Sequence, residues 1–335
     1  MMPTLPITPA GVNNCEEILQ LWEASVRATH SFITEADILY YKQYIPAGLA
    51  HTTLYCIRSN EGKMLAFMGI SKQLIDMLFV HPNERGKGLG KQLIQFAIEK
   101  HKANKVDVND QNEQAIAFYR QMGFAITGRE TFEEEHFYPV YHMQLTEHHP
   151  LGFYLPANTQ LLMLGSFPPP KARWSMDFYY PNIQNDMWRI LGLLFYKDKN
   201  YFLKTTKAFS LEKAKAFCNE VGIGIGDTAM EVIRLKDNAS DKFLEVVTPI
   251  APEEVLRQIP DCKAIVVTGQ KAMDTLLSVL PSNTEEPKVG SFTTFRLLGR
   301  TIKLYRMPSS SRAYPKPLPE KAEVYGIMFH ELGML

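Results

Sequence analysis

The chain is poor in cysteine, carries no long hydrophobic run and has no excess of charge. Its 335 residues include four cysteines, Cys15, Cys56, Cys218 and Cys262, scattered without paired metal-ligand spacing. They read as reduced core residues of a cytoplasmic protein, not as a disulfide framework or a metal centre. No stretch reaches the roughly 18 consecutive apolar residues that a membrane span requires, so no membrane partner is expected. Met1-Met2-Pro3-Thr4 opens no basic, apolar, cleavable leader. Asn238-Ala239-Ser240 matches a glycosylation sequon, which is expected to be chance because no export is expected. The adjacent His148 and His149 lack companion ligands, so no metal is expected there. No internal repeat is present.

What the chain does have is length and a division of charge. Three hundred and thirty-five residues exceed one ordinary core, so two domains are expected. The 36 basic and 36 acidic residues cancel overall, but residues 1–150 carry 13 basic and 17 acidic side chains, and residues 151–335 carry 23 and 19. The second half is thus mildly suited to a polyanion, although a charge this small is also what an ordinary solvated surface carries.

The stretch from Asp76 to Phe124 organises the first half. Met77-Leu78-Phe79-Val80 reads as a buried strand closed by His81-Pro82. Arg85-Gly86-Lys87-Gly88-Leu89-Gly90 follows, and then a helix with apolar residues at 89, 93, 94, 97 and 98. A glycine-rich turn between strand and helix lets backbone N–H groups approach a pyrophosphate, with the positive end of the helix behind it. Asn109-Asp110-Gln111-Asn112-Glu113-Gln114-Ala115 leads into a second helix with Phe118, Tyr119 and Arg120 before Met122-Gly123-Phe124.

These residues resemble the GNAT acyl-CoA N-acetyltransferases. The family's R/Q-x-x-G-x-G/A loop is matched by Arg85, Gly88 and Gly90, and its N-x-x-A-x-x-x-Y-x-x-x-G-F segment by Asn112, Ala115, Tyr119, Gly123 and Phe124. The helix Trp22–His30 is similar to that of small single-domain bacterial members, and the resemblance covers nearly all of residues 5–145. It implies a GNAT fold, acetyl-CoA as cofactor and direct transfer to an amine on a small molecule or protein. Tyr119 is then the acid that protonates the departing thiolate, and Asp76 a candidate base acting through water. Phe79, Val80, Arg85, Gly86, Lys87, Gly88, Leu89, Gly90 and Asn112 are the implied cofactor-binding residues.

The elements around this core are expected as follows. Glu16–Thr29 is a helix, Ser31–Tyr44 continues helically until Pro46, and two strands flank the turn Asn60-Glu61-Gly62. His30 reads as a hydrogen-bonded structural histidine, and Ser31–Thr34 as a candidate lining for the acceptor. Glu133-Glu134-Glu135 reads as an exposed loop and Val140–Leu145 as the last strand of a domain spanning 1–147. Residues 148–158 read as a linker to a second domain at 159–335.

That second half starts with another buried strand, Leu161–Leu164, running into Gly165-Ser166-Phe167-Pro168. Later apolar strands at 223–226, 264–269 and 302–306 alternate with helices. The pattern predicts a largely parallel, three-layer α/β/α domain with its site at the carboxyl ends of the strands. The segment from Arg173 to Arg189 interleaves aromatic and basic side chains, which suits base stacking and phosphate pairing and equally suits a core.

At those strand ends the residues resemble the uracil-DNA glycosylase superfamily, in its hypoxanthine/uracil-removing branch, over roughly 155–330. The matching segments are Gly165-Ser166-Phe167-Pro168, Tyr179-Tyr180 with Asn185-Asp186-Met187-Trp188-Arg189, Thr268-Gly269-Gln270-Lys271-Ala272, and Met307-Pro308-Ser309-Ser310-Ser311. The resemblance implies hydrolysis of the glycosidic bond of a flipped-out base in DNA, with Asn185 as the catalytic amide. Gly165, Ser166 and Phe167 would contact the base, Phe178 or Tyr180 would stack on it, Ser309, Ser310 and Ser311 would grip phosphates, and Arg312 would flank the duplex. Where the family often places an aromatic before an Asp that reads the base, this chain has Gly226-Asp227. With only two cysteines in this half, no iron–sulfur cluster is expected.

Three readings follow from the sequence: two catalytic modules in one chain, an acetyltransferase whose second domain only binds nucleic acid, or a fusion in which neither module is active. The acceptor, the excised base and the oligomeric state stay open at this point.

Overall fold

The structure is a computed structural model that describes residues 5–132, 134, 136–236 and 240–335. The first four residues, two of the three consecutive glutamates (Glu133 and Glu135) and Asn238-Ala239 of the sequon lie outside the described residues. The chain divides into two compact units, Met1–Thr146 and Glu147–Leu335. Among the described residues, no helix is long and apolar enough to cross a membrane.

The first unit runs β1 (Ile7–Ala10), α1 (Cys15–Thr29), α2 (Glu35–Leu49), β2 (Thr53–Arg58), β3 (Met64–Ser71), β4 (Leu74–Val80), α3 (Leu89–His101), β5 (Lys105–Asn109), α4 (Glu113–Gln121), β6 (Phe124–Glu130) and β7 (Val140–Leu145). Its described strands form one sheet in the order β1-β2-β3-β4-β5-β7-β6. Ile18, Leu21, Trp22 and Val26 of α1 pack with Phe67 in one core cluster, and Leu89, Leu93, Ile94 and Ala97 of α3 pack with Met68 and Ile70 in another. Because β3 is buried almost throughout, it reads as a continuous apolar run.

The helix expected to stop before Pro46 continues through it to Leu49. A proline removes one backbone donor and crowds the preceding turn, but burial of Leu49 with Ile38 in the α1 core carries the helix past it. Its start is set by Thr34, whose hydroxyl accepts from Asp37 N at 3.2 Å, while Asp37 Oδ2 accepts from Thr34 N at 2.8 Å.

The pairing of β4 positions the first site. It pairs with β3 along its length, but with β5 only at Leu74 and Ile75. Beyond Ile75 the parallel neighbours separate, which leaves one backbone edge of Leu78–Val80 without a strand partner. The β3–β4 register also slips between Gly69↔Met77 and Ile70↔Ile75, so Asp76 is the extra residue of a bulge.

The second unit runs β8 (Glu147–His148), β9 (Leu161–Gly165), α5 (Met187–Tyr196), β10 (Leu203–Thr205), β11 (Ala208–Phe209), α6 (Leu211–Val221), β12 (Ile223–Asp227), β13 (Ala229–Arg234), β14 (Leu244–Pro249), α7 (Pro252–Gln258), β15 (Ala264–Thr268), α8 (Gln270–Leu277), β16 (Ser291–Leu297), β17 (Arg300–Met307) and α9 (Leu318–Glu331). The main sheet has the order β12-β9-β15-β17-β16, parallel except for β16. Successive residues of β9 face opposite cores: Leu161 and Met163 pack with residues of α5, α6 and α9, and Leu162 and Leu164 with residues of α7 and α8. Helices therefore cover both faces, and both registers of the strand must be apolar. The chain leaves β9 for β12 on one side and returns to β15 on the other, so the strand order reverses at the carboxyl end of β9, where open α/β sheets form a crevice.

Residues 148–158, read from composition as a linker, pack into the second unit. Glu147 and His148 pair with β13, and Tyr154 bridges to Ile225. A stretch with two prolines and a glycine signals a turn but does not reveal such distant partners.

Candidate functional site

In the first unit a cavity of about 400 Å³ opens between β4, the glycine loop and α4. Phe79, Val80, Arg85, Gly86, Gly88, Leu89, Gly90, Asn112 and Tyr119 all line it. Gly86 and Gly88 adopt φ of +75° and +87°, a left-handed conformation that costs a residue with a Cβ roughly 1–2 kcal/mol. This conformation turns the loop into α3, whose first N–H groups have no partner within the helix. The open backbone edge of β4 leaves N–H and C=O groups free to pair with an extended chain, and the helix start offers N–H groups suited to an anion. Lys87 is not among the lining residues; it is exposed and paired with Glu84 at 3.0 Å.

Tyr119 is buried, and its environment pushes the phenol well above the ordinary range, so it stays protonated and can donate. Asn112 caps α4 by accepting from Ala115 N at 3.1 Å. Asp76 stands apart: it is exposed on the bulge and lies outside the cavity lining. His30, read from sequence as structural, is hydrogen-bonded as expected, to Thr29 at 2.7 Å and Asn112 at 3.3 Å, and it also lines the cavity. Burial first, and the Arg85 charge second, lower its pKa. Its place in the site depends on Asn112 and on lining residues between 78 and 121, far from it in the sequence.

A sheet that opens beside β4, a glycine loop at a helix start and a protonated phenol between them define the first unit as an acyl-CoA-dependent transferase. The pattern of the acetyltransferase (GNAT) family matches residues 16–124. Peptidyl-lysine N-acetyltransferase YjaB of Salmonella typhimurium is 32% identical over 119 residues, which span 36% of this chain and 82% of that protein. The chain belongs to the GNAT acetyltransferase family, and its cofactor is acetyl-CoA. Among solved structures, apo YjaB from Escherichia coli is 29% identical, with a TM-score of 0.39, covering 42% of this chain and 97% of that one. A putative uracil DNA glycosylase from Methanosarcina acetivorans is 21% identical, with a TM-score of 0.39, covering 54% of this chain and 96% of that one.

In the second unit a cavity of about 540 Å³ lies at the carboxyl ends of β9, β12 and β15. Gly165, Ser166, Phe167, Tyr180, Asn185, Asp227, Ser309, Ser310, Ser311 and Arg312 all line it. Phe178 does not: it is buried against Tyr154 and Trp188, with ring centroids 5.1 and 6.1 Å away. Of the two expected stacking residues, the cavity keeps Tyr180, at a φ of +50° that few non-glycine residues adopt.

Two loops that form the cavity are tied together. Asn185 bridges to Ser311, and Asp186 N donates to Ser310 O at 2.8 Å. The Asn185 side-chain oxygen accepts from Met187 N at 2.9 Å, which directs the other half of the carboxamide, Nδ2, away from that bond. The serine hydroxyls turn inward on their own loop, with Ser309 Oγ accepting from Ser311 N and Ser311 Oγ from Ala313 N, both at 3.2 Å.

His149, from the supposed linker, reaches the same cavity wall. Its side chain is 1% exposed, with Nε2 2.8 Å from Asp227 Oδ2 and Nδ1 2.6 Å from Leu151 O. Asp241, also unanticipated, lines the cavity, and burial raises its pKa. A second concavity of about 470 Å³ shares Arg312 with the first and adds Arg189, Lys199, Lys316 and Lys321 around a single carboxylate, Asp186. Lys321 is fully buried and donates to Asp186 Oδ2 at 3.1 Å and Ser311 O at 2.7 Å.

Proposed function

We propose that the chain joins two catalytic modules. The first moves an acetyl group from acetyl-CoA directly to a primary amine, with the lysine side chain of a protein as the acceptor class. The second hydrolyses the N-glycosidic bond of a deaminated base, uracil or hypoxanthine, in DNA, within a domain of uracil-DNA glycosylase-like fold.

For the first module the supporting observation is the unpaired edge of β4 opposite the glycine loop, with Tyr119 between them. When bound, acetyl-CoA supplies a thioester carbonyl as the electrophile. Backbone groups of Phe79 and Val80 hold the amide-bearing arm, the loop from Arg85 to Gly90 holds the phosphates, and the Tyr119 hydroxyl donates a proton to the departing sulfur. The lysine acceptor rests on three relatives named peptidyl-lysine N-acetyltransferases. Thiol release from acetyl-CoA in the presence of poly-L-lysine tests this half.

For the second module the supporting observation is the cavity at the strand-order reversal, walled by Asn185, Asp227 and Tyr180. Asn185 orients the attacking water or stabilises the departing base, Asp227 accepts from the base edge, and Tyr180 offers an aromatic surface. The neighbouring basic concavity suits backbone phosphates. The alternative is a second domain that binds nucleic acid without cleaving it, and it predicts DNA affinity unaffected by Asn185→Ala with no base released. Free cysteines, three of them buried, suit a cytoplasmic protein.

A further inference from the structure

We infer that His30 Nε2 is the atom that takes the first proton from the acceptor amine. The inference rests on the acetyl-transfer reading of the first unit and assigns that site its base.

A chain of hydrogen bonds fixes the tautomer. Thr29 Oγ1 donates its one hydrogen to Ser25 O at 2.8 Å. Its contact with His30 Nδ1 at 2.7 Å therefore needs the hydrogen on Nδ1. On the other side, Asn112 Oδ1 accepts from Ala115 N, so Nδ2 is the end of that amide turned toward His30. Asn112 Nδ2 lies 3.3 Å from Nε2 and donates to it. A neutral imidazole with its hydrogen on Nδ1 has one lone pair, on Nε2 in the wall of the acyl-CoA cavity, and its one contact, the long bond from Asn112, gives way to the acceptor's N–H before the proton moves.

The other groups with a claim to the role are placed less well. Asp76 is exposed on its bulge and outside the cavity. Glu84 lines the cavity but is paired with Lys87. Arg85 and Lys91 also line it, and neither is a base while charged; Tyr119 is held protonated. Burial and Arg85 disfavour the imidazolium, which keeps His30 in its accepting form at neutral pH.

The acceptor ammonium gives one proton to Nε2, and the freed amine forms the N–C bond as the thioester C–S bond breaks. The second amine proton goes to sulfur by way of Tyr119, and the imidazolium returns its proton to water.

The test is the pH profile of acetylation of poly-L-lysine by the full chain and its His30→Gln, His30→Gly, Asp76→Asn and Glu84→Gln variants, with acetyl-CoA affinity measured by calorimetry. In His30→Gln, kcat falls about 10²-fold while acetyl-CoA affinity is retained, and the acidic decline of rate, which burial and Arg85 place below the range of an ordinary imidazole, disappears. Added imidazole restores rate to His30→Gly, which a packing role would not allow. Full activity in His30→Gln, or loss of the acidic limb in Asp76→Asn or Glu84→Gln instead, overturns the assignment. Nitrogen NMR of the wild-type protein gives a second readout that needs neither a variant nor an acceptor. Hydrogen on Nδ1 and none on Nε2 at neutral pH is expected, and the opposite tautomer overturns the assignment. Should wild type fail to acetylate polylysine, the lysine acceptor class falls while the NMR result still decides His30.

Discussion

His149 Nε2 holds Asp227 Oδ2 at 2.8 Å inside the second unit, and the other carboxylate oxygen, Oδ1, is thereby set against Gly165. A Cβ added at Gly165 would stand 2.3 Å from Oδ1 and 3.9 Å from the Tyr180 ring. The glycine is required by this approach, not by its backbone angles. Gly165→Ala is expected to displace the carboxylate and cost about 1–3 kcal/mol, read from denaturant unfolding of the second unit. Base release from a uracil or hypoxanthine site should fall with it.

Tyr119→Phe keeps the ring that packs against Phe118 and Phe124 and removes only the hydroxyl. The rate of acetyl transfer should drop about 10²-fold, with acetyl-CoA affinity and unfolding midpoint unchanged. Equal loss of rate and affinity would mean that the phenol binds and does not donate.

Asp37 is expected to make the first unit acid-sensitive. Burial works to raise its pKa, but donors from Thr34, Tyr138 and His136 outweigh it and hold the carboxyl well below the ordinary range. A depressed folded-state pKa gives stability that is complete above the unfolded value, about 3.9, and is lost as pH falls through the folded one. Urea unfolding should therefore show wild type well above Asp37→Asn at neutral pH, with the gap closing in strong acid.

The basic concavity predicts a salt signature. If Lys199 meets a backbone phosphate, Lys199→Ala should weaken DNA binding equally across sequences and reduce the slope of log affinity against log salt by about 1. Fluorescence anisotropy over a range of salt concentrations measures both.

Much of both sites was legible because their chemistry is local in sequence. The runs 161–164 and 264–267 are apolar because they are buried strands, while 77–80, expected to be buried, is only half-buried because it borders the cavity; the loops that follow carry glycine, serine and asparagine for their backbone and hydrogen-bonding properties. What sequence missed depends on distant partners. The bulge that turns Asp76 away from the cavity is set by the register of β3 with β4. Phe178 is drawn into the core by Trp188 and Tyr154. His30 and His149 looked like a lone structural histidine and half of a linker, because Asn112 and Asp227 lie 82 and 78 residues away. Composition alone cannot foresee pairs of that kind.

The central claim is that one chain carries two chemistries, and the second is the one to measure first. Purified protein and Asn185→Ala should be incubated with single- and double-stranded DNA carrying uracil or hypoxanthine, and base release and abasic sites assayed. The account predicts release of at least one of these bases by wild type and a fall of about 10²-fold or more in Asn185→Ala. No release from any substrate by a protein that still binds acetyl-CoA would contradict it, leaving an acetyltransferase with a second domain that does not cleave DNA.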